Sequence, residues 1–269
     1  MSTHTRFHMT TIRFAASLVL AAATIGATVA APAAAQSGSL AQRVASTPDG
    51  KVRFTFATRP DVCGNGNSIS TGNNESSDVV WSGCQHGPAR IVLQVQNHQV
   101  TKLHTYVGGE WRPDAAATDL GDVAPQQAVD YLLSLARSGS SPVAKEAIFP
   151  TTMANDVTVW PQLLQIVRDD HASTSVRRDA VFWLGQAAGK AATKDLADLA
   201  AADTVDRAIR EQAVFALSQQ RDAGVPELIH IAQTNRDPQV RKRAIFWLGQ
   251  SNDPRAVALF EKLLTQAPR

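Results

Sequence analysis

Charge of one sign is what this sequence most clearly lacks. Lys and Arg together number 26 and Asp and Glu 24. The first 35 residues hold Arg6 and Arg13 and no acidic residue, so the remainder balances at 24 against 24. A chain without excess positive charge has no general hold on a phosphate backbone, and nucleic acid is not an expected partner. Catalytic signatures are missing too: there is no Walker loop, G-x-S-x-G, H-E-x-x-H or C-x-x-C. No nucleophile, base and orienting group fall into a recognisable pattern, and neither a catalytic residue, a metal nor a cofactor is expected. Cysteine is scarce, with only Cys63 and Cys84. What is present, 44% apolar and 19% charged residues, excludes a wholly disordered chain and a polytopic membrane protein.

The N-terminus reads as an address. Residues 1–13 are polar and carry only positive charge, and residues 14–30 are almost entirely apolar. Ala31, Pro32, Ala33, Ala34 and Ala35 then precede Gln36. Basic start, apolar middle and small-residue end are the order of a secretory signal, with cleavage expected after Ala35. The alternative is an uncleaved anchor, because the apolar stretch is close to the minimum span. The small-residue site favours cleavage, so the chain is expected to be exported, periplasmic or secreted, with no membrane segment once the signal is gone. In an oxidising compartment an even cysteine count suggests a disulfide between Cys63 and Cys84. It would close a loop of about 22 residues and contribute about 3 kcal/mol through the unfolded state. A metal site using both cysteines and His86, or a reactive thiol, remains open. The spacing lacks the paired cysteines of a zinc site.

Two periodicities divide the rest. Residues 36–115 read as a small β domain of about four antiparallel strands. Val52, Phe54 and Phe56 alternate with polar residues, residues 78–81 form a short apolar run, and residues 91–95 and 100–107 flank a hairpin loop at 96–99. The Gly- and Asn-rich stretch from Gly64 to Ser77 reads as a loop that resists ordering. Residues 116–124 read as a linker. From residue 125 to 269 the periodicity is helical. The expected fold class is therefore α+β and multidomain: a disulfide-stapled antiparallel β domain followed by an all-α array.

That array is internally repeated. Segments starting at Val143, Val176, Ile209 and Val240 align without gaps, 33, 33 and 31 residues apart. A second set starts at Leu132, Leu163, Leu196 and Leu228, and a last copy at Leu259. Each unit is two short helices, A then B, and such units bury their apolar faces only by stacking. Asp237-Pro238-Gln239-Val240-Arg241, then Ala244, then Leu248-Gly249, resembles the signature of HEAT repeats, including the variant named for phycobilisome lyases. The resemblance covers residues 125–266 and implies an α-solenoid of about four repeats plus a terminal helix. It also implies an Asp–Arg ladder between repeats. Asp206 with Arg210 and Asp237 with Arg241 fit, whereas Ser173 with Arg177 and Ser140 with Ala144 depart from it. Pro150 falls inside the first B helix, where proline breaks a helix, so the first unit is expected as the junction to the β domain. Gly185 and Gly249 are expected to end their helices.

Counting from each B-helix start, positions 0, 4, 7 and 8 lie on one side, which places Trp183 and Trp247 in the core phase. Positions 2, 6 and 10 stack on the other side: Arg178, Phe182 and Gln186; Glu211, Phe215 and Gln219; Lys242, Phe246 and Gln250. The recurring Phe is either inter-repeat core or an aromatic ladder on the concave face. The second reading makes Arg178, Phe182, Gln186, Phe215, Gln219, Lys242, Phe246 and Gln250 a binding surface for a protein or peptide. The expected function is a non-enzymatic scaffold. The resemblance also admits a lyase-like or other small-ligand role, and the layout a purely structural envelope component. His98 in the hairpin and His104 on its strand are a conceivable metal pair, with surface histidine the ordinary account.

Overall fold

The computed structural model describes residues 38–72, 83–110, 114–138 and 141–265. The signal expected over 1–35, the strand expected at 78–81 and residues 266–269 lie outside the described residues. The described chain opens with α1 (Leu40–Ala45). The Ser39 hydroxyl accepts from the Gln42 N–H and the Gln42 side chain accepts from the Ser39 N–H, a reciprocal cap that satisfies both ends of the first turn.

Strands β1 (Gly50–Phe56), β2 (Val62–Gly66), β3 (Ser68–Thr71), β4 (Gln85–His86), β5 (Ala89–Gln96), β6 (Gln99–Gly108) and β7 (Thr118–Asp122) form one seven-stranded sheet. Its order is β3-β2-β6-β5-β1-β7, with β4 paired to β2. Alternation sets its faces: Val52, Phe54 and Phe56 of β1 and Ala89, Ile91, Leu93 and Val95 of β5 are buried. The hairpin between β5 and β6 is tighter than expected, since Gln96 and Gln99 pair and only Asn97 and His98 turn. Both turn residues have positive φ, as a two-residue turn matched to strand twist requires. The Asp49 carboxylate accepts from both of their backbone N–H groups, which holds its carboxyl below the usual range.

Three expectations need correction. The stretch 116–124 is no linker: β7 runs parallel to β1, Val52 opposite Thr118, so the sheet is mixed rather than antiparallel. Its residues carry no apolar alternation because it is an edge strand, tied by Arg53 to Asp119 at 2.7 Å and by the Thr55 hydroxyl to Asp122. Of the Gly- and Asn-rich stretch after Cys63, the described residues to Gly72 are ordered by the β2–β3 hairpin, and residues 73–77 lie outside the described residues. Gly64 stands where β2 crosses β6: a Cβ there would lie 2.6 Å from the Val107 carbonyl oxygen. Cys63 and Cys84 are joined as expected, with Cα atoms 5.4 Å apart.

The helices form two rows. The A row is α2 (Pro125–Ser138), α5 (Trp160–Arg168), α7 (Thr193–Ala201), α9 (Gly224–Thr234) and α11 (Pro254–Thr265). The B row is α3 (Ser141–Glu146) with α4 (Ile148–Thr151), then α6 (Thr174–Ala188), α8 (Arg207–Ser218) and α10 (Pro238–Gln250). α6 packs on α3 and α4 behind it and on α8 ahead, and α8 packs on α10. The break between α3 and α4 follows from Pro150, whose ring excludes the carbonyl four residues back, that of Glu146, the last residue of α3. Gly185 and Gly249 do not end helices. Both lie inside them, and Gly185 is there because a Cβ would meet the Ala216 Cβ of α8 at 2.8 Å.

Sheet and helices share a core. Phe54 meets Tyr131 of α2 edge-on at 6.3 Å, α3 packs on β6, and burial of Tyr131 raises its phenol pKa. The backbone continues across the join: the Arg59 N–H donates to the Met153 carbonyl at 2.8 Å and the Asn155 N–H to the Ala57 carbonyl at 3.0 Å. The chain from Gly38 onward is one compact unit. No described helix is long and apolar enough to cross a membrane.

Candidate functional site

The B row carries a continuous run of aromatic rings. Phe149 lies 4.7 Å from Trp183, and Trp183 4.8 Å from Phe182. Phe182 stacks on Phe215 at 6.2 Å with planes 7° apart. Phe215 then meets Trp247, and Trp247 meets Phe246, each at 5.0 Å. The run crosses α4, α6, α8 and α10 because the repeat returns Phe to the same phase and Trp to the next position. Such ring pairs contribute about 0.5–1.5 kcal/mol each beyond the area they bury.

The rings lie at the edge of the core. Phe149, Phe182, Trp183, Phe215 and Trp247 are half-buried and Phe246 is exposed. The two tryptophans pack against the core, as expected for them, and also join the run. At position 7 each reaches back to the Phe of the preceding unit, which holds the ring at the surface edge of the stack.

An open hollow of about 390 Å³ sits on the run, lined by Arg178, Glu211, Gln212, Phe215, Arg243 and Trp247, with Ala208 completing it. Glu211 and Arg243 pair at 3.3 Å across its wall, and Lys145 pairs with Asp179 at 3.5 Å farther along the row. Arg178 and Lys242 are exposed, and the described residues give neither an ion-pair partner. The hollow brings together two of the expected binding residues, Arg178 and Phe215. Phe182 and Phe246 connect to it through ring contacts, while Gln186, Gln219, Lys242 and Gln250 lie outside it. Glu211 stood on the expected stripe without being named for binding, and Gln212, Arg243 and the tryptophans were not in the expected set. Positions 3 and 7 flank the stripe at 2, 6 and 10, and that adjacency was the available signal.

Behind this face runs the charge ladder. Arg210 reaches forward to Asp237 at 2.9 Å and back to Asp203 at 3.7 Å. Asp237 is buried, caps α10 by accepting from the Gln239 N–H, and takes Arg207 as well. The Arg207 guanidinium, then the Gln239 N–H, hold its carboxyl below the usual range. Arg177 reaches Asp206 at 3.6 Å, and its Nε donates to the Val167 carbonyl in the last turn of α5. Asp206 makes no side-chain cap on α8. Arg241 donates to the Asn235 and Arg236 carbonyls. The pairs thus run from one unit's Arg to the next unit's Asp, so Asp206 and Arg210 are not each other's partners. The Ser at position 173 does not break the ladder, because Arg177 takes Asp206 of the following unit and Asp170 of its own.

Residues 240–266 match the family described as the PBS lyase HEAT-like repeat. The chain carries a HEAT-like repeat. No curated protein matches the chain. The matched HEAT-like unit comprises nearly all of α10 and the whole of α11, and so holds Phe246 and Trp247 at one end of the aromatic run. Elsewhere, His98 is fixed in its turn through its backbone N–H to Asp49, while the His104 ring lies 6.5 Å from Tyr106. Among the described residues no three His, Cys, Asp or Glu side chains group as metal ligands.

Proposed function

We propose that the helical half is a HEAT-type solenoid of about four repeats plus a terminal helix, and that this is an exported, non-enzymatic scaffold holding a segment of a protein partner along its B row. The observation that carries this reading is the aromatic run itself: six rings in a chain of contacts, partly open to solvent, beside a hollow edged by Arg178, which has no ion-pair partner among the described residues. Aromatic anchors in a polar rim are the usual energetic centre of a protein interface. Rings already stacked on their neighbours lose little freedom on binding. The ladder behind them fixes the spacing of one helix to the next, so the anchors are held ready. Export is supported by the signal-like N-terminus and by the disulfide, which suits an oxidising compartment.

The test is a cross-linked pull-down of the tagged protein from its own cell envelope, with and without a Phe182→Ser/Phe215→Ser/Phe246→Ser triple change. One dominant partner, lost with the triple change, is expected. A partner kept in full by that variant moves binding off this face. The HEAT-like match to the phycobilisome-lyase type favours a second reading, handling of a linear tetrapyrrole. Visible absorbance retained by the purified protein is its test.

A further inference from the structure

Charges along the B row pair by a rule. Lys145 meets Asp179 at 3.5 Å, and Glu211 meets Arg243 at 3.3 Å. In repeat terms the two pairs are the same: position 2 of one B helix reaches position 3 of the next. The middle step of the row breaks the rule. Position 2 of α6 is Arg178, and position 3 of α8, which should answer it, is the neutral Gln212. Arg178 is exposed and has no ion pair among the described residues, and Gln212 has no side-chain hydrogen bond among them. Both side chains line the hollow over the aromatic run. The charge left over in that hollow is positive, because Arg178 and Arg243 stand against Glu211 alone. Lys242, at position 2 of α10, is exposed and adds to it.

We propose that the segment held along the B row is acidic, and that one of its Asp or Glu carboxylates binds between Arg178 and Gln212. This inference rests on the reading of the aromatic run as a face that holds a peptide. The partner's carboxylate would do for Arg178 what a residue of the chain itself does at the other two steps. A guanidinium presents its N–H groups in a planar fork that suits a carboxylate, and the Gln212 amide nitrogen has two more to donate. Phe215 and Trp247, in the same hollow, offer ring surface to an apolar neighbour of that acid. A basic segment would set like charge against Arg178, and Glu211 is already taken by Arg243. The site falls at the centre of the run, where Phe182 stacks on Phe215.

The experiment is fluorescence anisotropy of the purified protein with three labelled peptides of equal length, in which Phe alternates with Glu, with Ser or with Lys. The Glu peptide is expected to bind about ten-fold or more tighter than the Ser peptide, and the Lys peptide more weakly than both. Gln212→Glu gives Arg178 the counter-charge that the rule supplies elsewhere, so the variant keeps the fold, which thermal unfolding checks. It is expected to cut the advantage of the Glu peptide over the Ser peptide about ten-fold. Arg178→Glu is expected to turn the preference towards the Lys peptide. Equal binding of the Glu and Ser peptides, or an advantage that Gln212→Glu leaves intact, overturns the inference while the aromatic face stands. Binding that the Phe182→Ser/Phe215→Ser/Phe246→Ser variant keeps in full, or no binding of any of the three, counts against the face itself and overturns the inference with it.

Discussion

The sheet and the helical rows reach order by different routes. The sheet joins strands far apart in sequence, and its edges, β3 and β7, are polar and short. The helical rows repeat one local unit, and each helix gains its partners from the next unit along. The first arrangement places few exposed side chains in register for a partner. The second multiplies a single side-chain choice, Phe at position 6, into a continuous surface. Repetition is what turns an ordinary half-buried ring into a candidate site.

The strongest test of this contrast asks whether the halves are separable. Phe54 is fully buried between the sheet and Tyr131 of α2, so Phe54→Ala is expected to cost about 3–5 kcal/mol. The loss should appear as one transition, read alike by helical circular dichroism and by tryptophan fluorescence of the B row. Two separate transitions would restore a pair of independent domains. Replacing Cys63 and Cys84 by Ser comes next, at about 3 kcal/mol by the loop-closure argument. Denaturant unfolding reads it, and the same unified transition is expected at lower denaturant.

Within the helical rows, two glycines at one repeat position should behave oppositely. Gly185→Ala forces a Cβ against Ala216 and is expected to cost about 1–3 kcal/mol. Gly249→Ala meets open space inside a helix and is expected to gain up to about 1 kcal/mol in dilute solution. Thermal melts of the pair decide it, and equal effects would mean that Gly249 is packed as closely as Gly185.

The smallest effect compares two carboxylates. Asp237 is held below the usual range first by the Arg207 side chain, and Asp49 first by the Asn97 backbone N–H. A lowered folded-state pKa gives stability that is present above the ordinary carboxylate range and is lost as pH falls through the lowered value. Asp237→Asn should therefore flatten the acid end of the stability curve. At 1 M salt, where screening reaches about 3 Å, the Asp237 pKa should move towards normal more than that of Asp49. NMR titration of the two carboxyl groups checks both statements.

The helical repeat was legible in sequence because its information is local: apolar phase, the Asp–Arg pair and Pro150 each act within one unit and its neighbour. The strands of β1, β5 and β6 were legible by alternation. β7 was not, since Thr118-Asp119-Leu120-Gly121-Asp122 owes its strand conformation to β1, about 66 residues earlier in the chain. α1 carries a readable sign, Ser39 three residues before Gln42. Gly185 read as a helix end because glycine ends helices more often than it packs inside them. The aromatic run was half legible. The Phe phase was plain, but the helix wheel places the tryptophans against the core without showing that each also meets the Phe of the preceding unit.

The central claim is that the aromatic run is a working face rather than a structural core, and thermal unfolding of the Phe182→Ser/Phe215→Ser/Phe246→Ser variant tests it most directly. A face of half-buried rings predicts a single cooperative transition retained, with Tm lowered by about 10 °C or less. Loss of the cooperative transition would show that these rings hold the repeats together and would contradict the account.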